Sequence, residues 1–157
     1  MSENDEKWMW RAISLAREAE KIGEVPVGAI IVDGDGGILA AASNRTIKNM
    51  DPTAHAEILA LRTAAARIGN YRLTGATVYS TIEPCAMCAG ALVNARIARL
   101  VFGAFDERFG CAVTHFGICD SDVLNHRVEI VSGVLADECK SLIQNFFKSR
   151  RKAVPSV

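Results

Sequence analysis

Two short segments, His55-Ala56-Glu57 and Pro84-Cys85-Ala86-Met87-Cys88, carry metal-binding side chains that lie far apart along the chain. They act together only in a fold that returns residues 85 and 88 to residue 55, and few arrangements do that. One His and two Cys make three ligands. Catalytic zinc uses three and keeps its fourth position for water, whereas structural zinc closes with four. No fourth Cys or His lies at close spacing to either segment. Glu57, two residues after His55, is either the acid/base that moves a water proton or a fourth ligand that closes the site.

Local chemistry favours the metal. Cys85 and Cys88 are three residues apart and so share one helical face. At a helix N-terminus the unpaired amides and partial positive charge stabilise thiolates. Zinc suits a mixed nitrogen and sulfur shell, and it lowers the pKa of a water it binds to about 7. Taken singly, the Cys pair fits a redox couple or two buried thiols, His55 a capping residue, and Glu57 a solvated first-turn acid. Jointly they predict a catalytic zinc centre.

The surrounding pattern predicts how that centre is built. Trp8, Ala12, Leu15, Ala16, Ala19 and Ile22 recur at helical spacing from about Asp5 to Ile22, and Gly23 stops the helix. Val25 to Val32 and Ile38 to Ser43 read as strands joined by the Asp33-Gly34-Asp35-Gly36-Gly37 turn. That turn lacks the residues that would make it a phosphate or calcium loop. Asp51 as cap and Pro52 at the first position predict a second helix running to Ile68, ended by Gly69-Asn70. A strand over Ala76 to Thr81, a helix from Pro84 to about Arg96, and strands over Ile97 to Gly103 and Arg127 to Ser132 follow. A last helix from Ala136 buries Leu142, Ile143, Phe146 and Phe147. Asp106 to Asn125 has no readable period and is expected to be mostly loop. Strands alternating with helices predict a three-layer α/β domain, one unit over residues 1–157.

Composition narrows the setting. Lys plus Arg and Asp plus Glu are each 18, so the chain is not coated in basic charge, although a local patch is permitted. Lys148, Arg150, Arg151 and Lys152 form such a patch, as phosphate contacts or as a solvated helix end. No apolar run approaches a membrane span. Five cysteines without an apolar leader predict a reducing, cytoplasmic setting rather than a disulfide framework. Cys111, Cys119 and His115 fit buried small residues better than a second metal site. His126 and Arg127 are either structural or RNA-facing.

His-x-Glu followed by Pro-Cys-x-x-Cys is the signature of zinc nucleobase deaminases. The likeness extends along nearly the whole chain. Glu24 to Ala29, Asn44-Arg45, Asp51 to Ile58, Asn70 to Leu73, Glu83 to Cys85, Val101 to Ala104, Asn125 to Ile130 and Leu135 to Cys139 resemble the bacterial tRNA-specific adenosine deaminase family. That resemblance implies a three-layer α/β/α cytidine-deaminase-like fold with a central mixed five-stranded sheet, assembled as a homodimer. It implies one Zn2+ per subunit on His55, Cys85 and Cys88, with Glu57 as the proton shuttle. Asn44 would hydrogen-bond the purine and Val27 would line its pocket. The implied reaction converts adenosine to inosine at the wobble position of a tRNA anticodon loop, where the base is free to leave its stack.

One segment departs from that family. After Phe102-Gly103-Ala104 its members carry an Arg-Asp, then a Lys and a Gly-Ala-Ala-Gly-Ser run. Here Asp106 and Gly110 remain, but Phe105, Phe109 and Val113 stand among them. The exchange weakens a phosphate contact. It offers stacking surfaces for unpaired bases, or it marks an enzyme for a free base or nucleoside, such as a guanine deaminase.

Overall fold

The computed structural model describes residues 2–153, with side chains through Arg151. Its elements are α1 (Glu3–Lys21), β1 (Gly28–Val32), β2 (Ile38–Ser43), α2 (Ala56–Ile68), β3 (Thr77–Ile82), α3 (Ala86–Asn94), β4 (Arg99–Ala104), a 3-10 turn (Ile118–Asp120), β5 (Glu129–Ser132) and α4 (Ala136–Ala153). The sheet order is β2-β1-β3-β4-β5. β1 runs antiparallel to β2 and β3, and β3, β4 and β5 are mutually parallel, as expected for a mixed five-stranded sheet.

Strand alternation sorts the core into two layers. Ile30, Val32, Tyr79 and Val101 face α1 and α4 with Trp8, Met9, Ile13 and Cys139. Ala29, Ile31, Val78, Leu100 and Phe102 face α2 and α3 with Ala60, Leu61, Leu92 and Val93. Buried on both sides, β1 is apolar throughout, so its sequence shows no alternation. The sheet register also sets where the strands stop. Gly28 pairs with Ser43, Ala29 with Ser80, and Ile82 with Ala104. Val27, Asn44, Glu83 and Phe105 therefore emerge along one edge, and loops from there frame a cleft.

Several predicted boundaries move. α1 and α2 stop where Gly23 and Gly69 take positive φ of 82° and 69°, as the sequence suggests. Asp51 and Pro52 do not open α2. The Asp51 carboxylate accepts instead from Thr53 N and Thr53 Oγ1 at 2.9 and 2.7 Å, a local turn. The helix begins at Ala56, whose N–H donates to Asn44 Oδ1 at 2.8 Å. α3 begins after Cys85 rather than at Pro84 and ends at Asn94, with Arg96 beyond it at φ 58°. Ladder pairing in the first strand begins at Gly28 rather than Val25. Ile22 and Phe147 are exposed rather than buried, because α1 and α4 turn those positions outward.

Three buried carboxylates lock this frame. Asp5 completes a capping box with Ser2 at the start of α1. It is 1% exposed and also accepts from Arg99 Nη1 and Nη2 at 2.8 and 2.7 Å and from Tyr79 Oη at 2.8 Å. α1 is thereby pinned to β3 and β4. Glu24 takes the Ile47 and Lys48 amides at 3.1 and 2.7 Å and the Thr46 hydroxyl at 3.3 Å. Glu83 takes the amides of Asp106, Val113 and Thr114 at 3.2, 2.9 and 2.8 Å and the Thr114 hydroxyl at 2.6 Å. The segment after β4 wraps around this carboxylate, with Cys111, Ala112 and Cys119 buried beneath. Gly110 passes so close to Glu83 and to the Asp106 carbonyl that a Cβ there would overlap both.

Arg99, then Tyr79 and Ser2, hold the Asp5 carboxyl well below the usual carboxylate range against the desolvation that opposes them. Because the folded pKa is depressed, this stabilisation is complete above the unfolded value near 4 and is lost as pH falls below it. Arg99→Ala is expected to cost about 3 kcal/mol at pH 7 in urea unfolding. The gap to wild type should narrow below about pH 4; a constant gap from pH 7 to 2 would contradict the assignment. Glu83→Gln turns a donor toward amides that need an acceptor. It should cost about 2 kcal/mol and speed hydrogen exchange at Val113 and Thr114, where unchanged protection would count against it.

Candidate active site and metal centre

The cleft at the sheet edge has a volume of about 1140 Å³. His55, Glu57, Cys85, Asn44 and Val27 all line it. Cys88 lies just behind, fully buried. Thus all six residues singled out in the sequence come together.

Helix starts do most of the positioning. His55 and Cys85 occupy the N-cap positions of α2 and α3, both with extended backbone and neither spending its side chain on capping. Freed in this way, the two side chains point at each other across the cleft floor. His55 Nδ1 lies 3.6 Å from Cys85 Sγ and 3.5 Å from Cys88 Sγ. All three donor atoms fall within 4.8 Å of one another. Zinc bonds of about 2.0 Å to nitrogen and 2.3 Å to sulfur at the tetrahedral angle would separate N and S by about 3.5 Å. The donor set therefore fits zinc in identity and in spacing.

Charge at the centre follows the same geometry. Cys85 is held down to about 4, first by the Cys88 thiol donating to it and then by His55. Cys88, the donor in that pair, is pushed up by the same contact. A bound cation removes the conflict, because a coordinating thiol gives up its proton. The His55 imidazole is raised, chiefly by its hydrogen bond to Cys85.

Glu57 is not a fourth member of the donor cluster. It is 3% exposed, and burial pushes its carboxyl up to about 7. Its Oε1 has no hydrogen-bond partner among the described residues. A buried carboxylate oxygen left unpaired beside a three-donor cluster is arranged for a proton that arrives with a ligand. Asn44 has a structural role that its sequence did not announce. Its Oδ1 caps α2 through Ala56 N–H, so its amide NH2 is left for the cleft. Val27, nearly buried, supplies apolar wall.

Other candidates settle into structural roles. His126 Nε2 meets the Ile97 carbonyl at 2.7 Å, and Arg127 pairs with Asp120 at 2.7 Å. His115 meets the Glu107 carbonyl at 2.7 Å, while Cys111 and Cys119 are buried. Neither cysteine joins a metal-binding group among the described residues. Lys148, Arg150 and Arg151 line the cleft from α4. Of these, Arg150 donates to the Gly23 carbonyl at 2.7 Å and lies over the Phe146 ring at 4.9 Å, which ties it into the fold. The Lys152 side chain lies outside the described residues. Glu24 and Glu83, which hold the loops, gave no distinct signal in the sequence. A Glu at a strand end is usually solvated, and only the tertiary path of the loops buries these two.

The sequence model of the cytidine and deoxycytidylate deaminase zinc-binding region matches residues 2–104. The tRNA-specific adenosine deaminase of Haemophilus influenzae is 50% identical over 151 residues, covering 96% of this chain and 87% of that protein. A solved structure from work on A-to-I editing by tRNA:A34 deaminases at the wobble position superposes with a TM-score of 0.80 at 40% identity. It covers 87% of this chain and 98% of its own. Guanine deaminase from Bacillus subtilis superposes with a TM-score of 0.64 at 29% identity, covering 100% of this chain and 98% of that one. Zinc-binding region, near full-length identity and fold agree, and the chain belongs to the cytidine and deoxycytidylate deaminase family, among its tRNA-specific adenosine deaminases.

Proposed function

We propose that this chain converts adenosine to inosine at the wobble position of a tRNA anticodon loop, as a cytoplasmic homodimer with one zinc per subunit. The observation that carries the chemistry is the unpaired Glu57 Oε1, buried in the cleft beside the His55, Cys85 and Cys88 donors. The relatives' activity supports the substrate. The whole chain acts as one deaminase domain, and among the described residues no helix is long and apolar enough to cross a membrane.

Zinc held by His55 Nδ1, Cys85 Sγ and Cys88 Sγ supplies the Lewis acidity that makes water a nucleophile near neutral pH. The protein's own groups do the rest. Val27 and Asn44 receive the flipped purine, with the Asn44 NH2 donating to a ring acceptor. Water adds to C6, and Glu57 accepts the proton that the water loses. Glu57 then returns a proton to the 6-amino group as the C6–N6 bond breaks. Adenosine and water become inosine and ammonia, and Glu57 ends as it began. Its burial suits this, since a carboxyl that gives and takes protons works best with a pKa near the working pH.

The second reading, deamination of a free base such as guanine, draws on the exposed Phe105, Phe109 and Val113. One experiment separates the two. Zinc-loaded protein incubated with an adenosine-34 tRNA should yield inosine, and guanine and free nucleosides should release little ammonia. Ammonia from guanine without inosine in tRNA would overturn the tRNA assignment. Glu57→Ala should keep its zinc by metal analysis and lose at least about a hundredfold in turnover; unaltered turnover would remove the shuttle role. For the assembly, sedimentation should report twice the 16.9 kDa chain mass, and a species of single-chain mass at assay concentration would refute the dimer.

A further inference from the structure

The segment after β4 leaves three phenylalanines at the surface, and one of them is placed differently from the others. Phe105 packs edge-on against Phe102, with ring centroids 5.1 Å apart at 84°. Phe116 is exposed but does not line the catalytic cleft. Phe109 is 65% exposed and lines that cleft together with His55 and Glu57. It also borders a second, smaller hollow of about 490 Å³, whose other walls include Met87, Arg108 and Phe116. With Cys85 and Arg108, it borders both spaces.

An exposed phenyl ring forgoes much of the free energy its burial would give, on the order of 2 kcal/mol for a whole side chain. Here the backbone beneath it is held rather than loose. Phe109 N and Arg108 N both donate to Asp106 Oδ1 at 3.1 Å, and Gly110 N donates to the Asp106 carbonyl at 2.9 Å. Asp106 N is in turn fixed by the buried Glu83 at 3.2 Å. Across the cleft, α4 presents Lys148 and Arg151. The cleft thus brings the rings of Phe109 and Phe147 together with the cations Arg108, Lys148 and Arg151, the pairing that holds single-stranded nucleic acid by base stacking and phosphate attraction.

We propose that Phe109 stacks on the unpaired base next to the target nucleotide, seating it toward the smaller hollow while the target base enters the catalytic cleft. This rests on the reading of the site as one that takes an RNA loop. The ring selects substrates with an unstacked neighbour, and it does so without adding charge.

The test uses zinc-loaded full-length protein and an anticodon stem-loop RNA with an unreactive purine at the target position, so that affinity is read without turnover. Phe109→Ala should weaken binding about tenfold, and Phe109→Trp should restore it. Removing the neighbouring base, as an abasic nucleotide on either side in turn, should weaken wild-type binding by a similar factor at one position. The same change should cost Phe109→Ala nothing further. The slope of log affinity against log salt should stay the same in Phe109→Ala and become shallower by about 0.7 in Lys148→Ala. Equal affinity of wild type and Phe109→Ala overturns the proposal, as does equal sensitivity of the two to the abasic changes. A shift in the monomer–dimer equilibrium with unchanged RNA affinity assigns the ring to contact between copies and overturns it as well. If inosine never forms in reactive RNA yet the abasic pattern holds, the deamination reading fails and the stacking role stands. Absence of RNA binding removes both.

Discussion

The start of α2 is set from outside the helix. Ala56 N–H, one of the amides that a helix cannot satisfy internally, donates to the side chain of Asn44 at the end of β2. His55, the N-cap residue, makes no side-chain cap bond, and its imidazole faces the two thiols. The Ala56 hydrogen bond also determines which half of the Asn44 amide remains for a ligand. His55, Glu57 and Asn44 all meet at this one strand-to-helix link.

The loops around the cleft depend on two further carboxylates. Among the described residues Glu24 and Glu83 form no ion pair, and burying a carboxylate is costly unless hydrogen bonds surround it. Backbone amides provide those bonds, three from the segment after β4 and two from the segment after β2. The arrangement solves two problems together. Loops without regular structure have amides that need acceptors, and each buried carboxylate needs donors. An irregular wall becomes as fixed as a strand.

Much of this was legible before the coordinates. The metal donors, Glu57 and the five-strand order of elements follow from residue type, spacing and period, because those signals are local. What the chain alone could not reveal depends on contacts between distant residues. Asp51-Pro52 has the chemistry of a helix start, but Asn44 competes from another strand and moves the start to Ala56. Phe147 has the period of a core residue, yet α4 turns it to the cleft at 43% exposure. The segment from Asp106 to Asn125 has no period because a carboxylate at the end of β3 organises it, and no window within the segment includes that residue. Arg150 belonged to a run of basic residues, and its partner is a carbonyl at the far end of α1.

That last contact has a bearing on how the enzyme comes into being. Arg150 and Gly23 are 127 residues apart in sequence, and α4 leaves the ribosome after every strand of the sheet. α4 brings Cys139 and Leu142 to the sheet face formed by Ile30, Tyr79 and Val101, so part of that face stays uncovered until α4 is made. Lys148 and Arg151 arrive with it. A nascent chain therefore holds His55, Cys85 and Cys88 before it holds the helix that closes this side of the cleft.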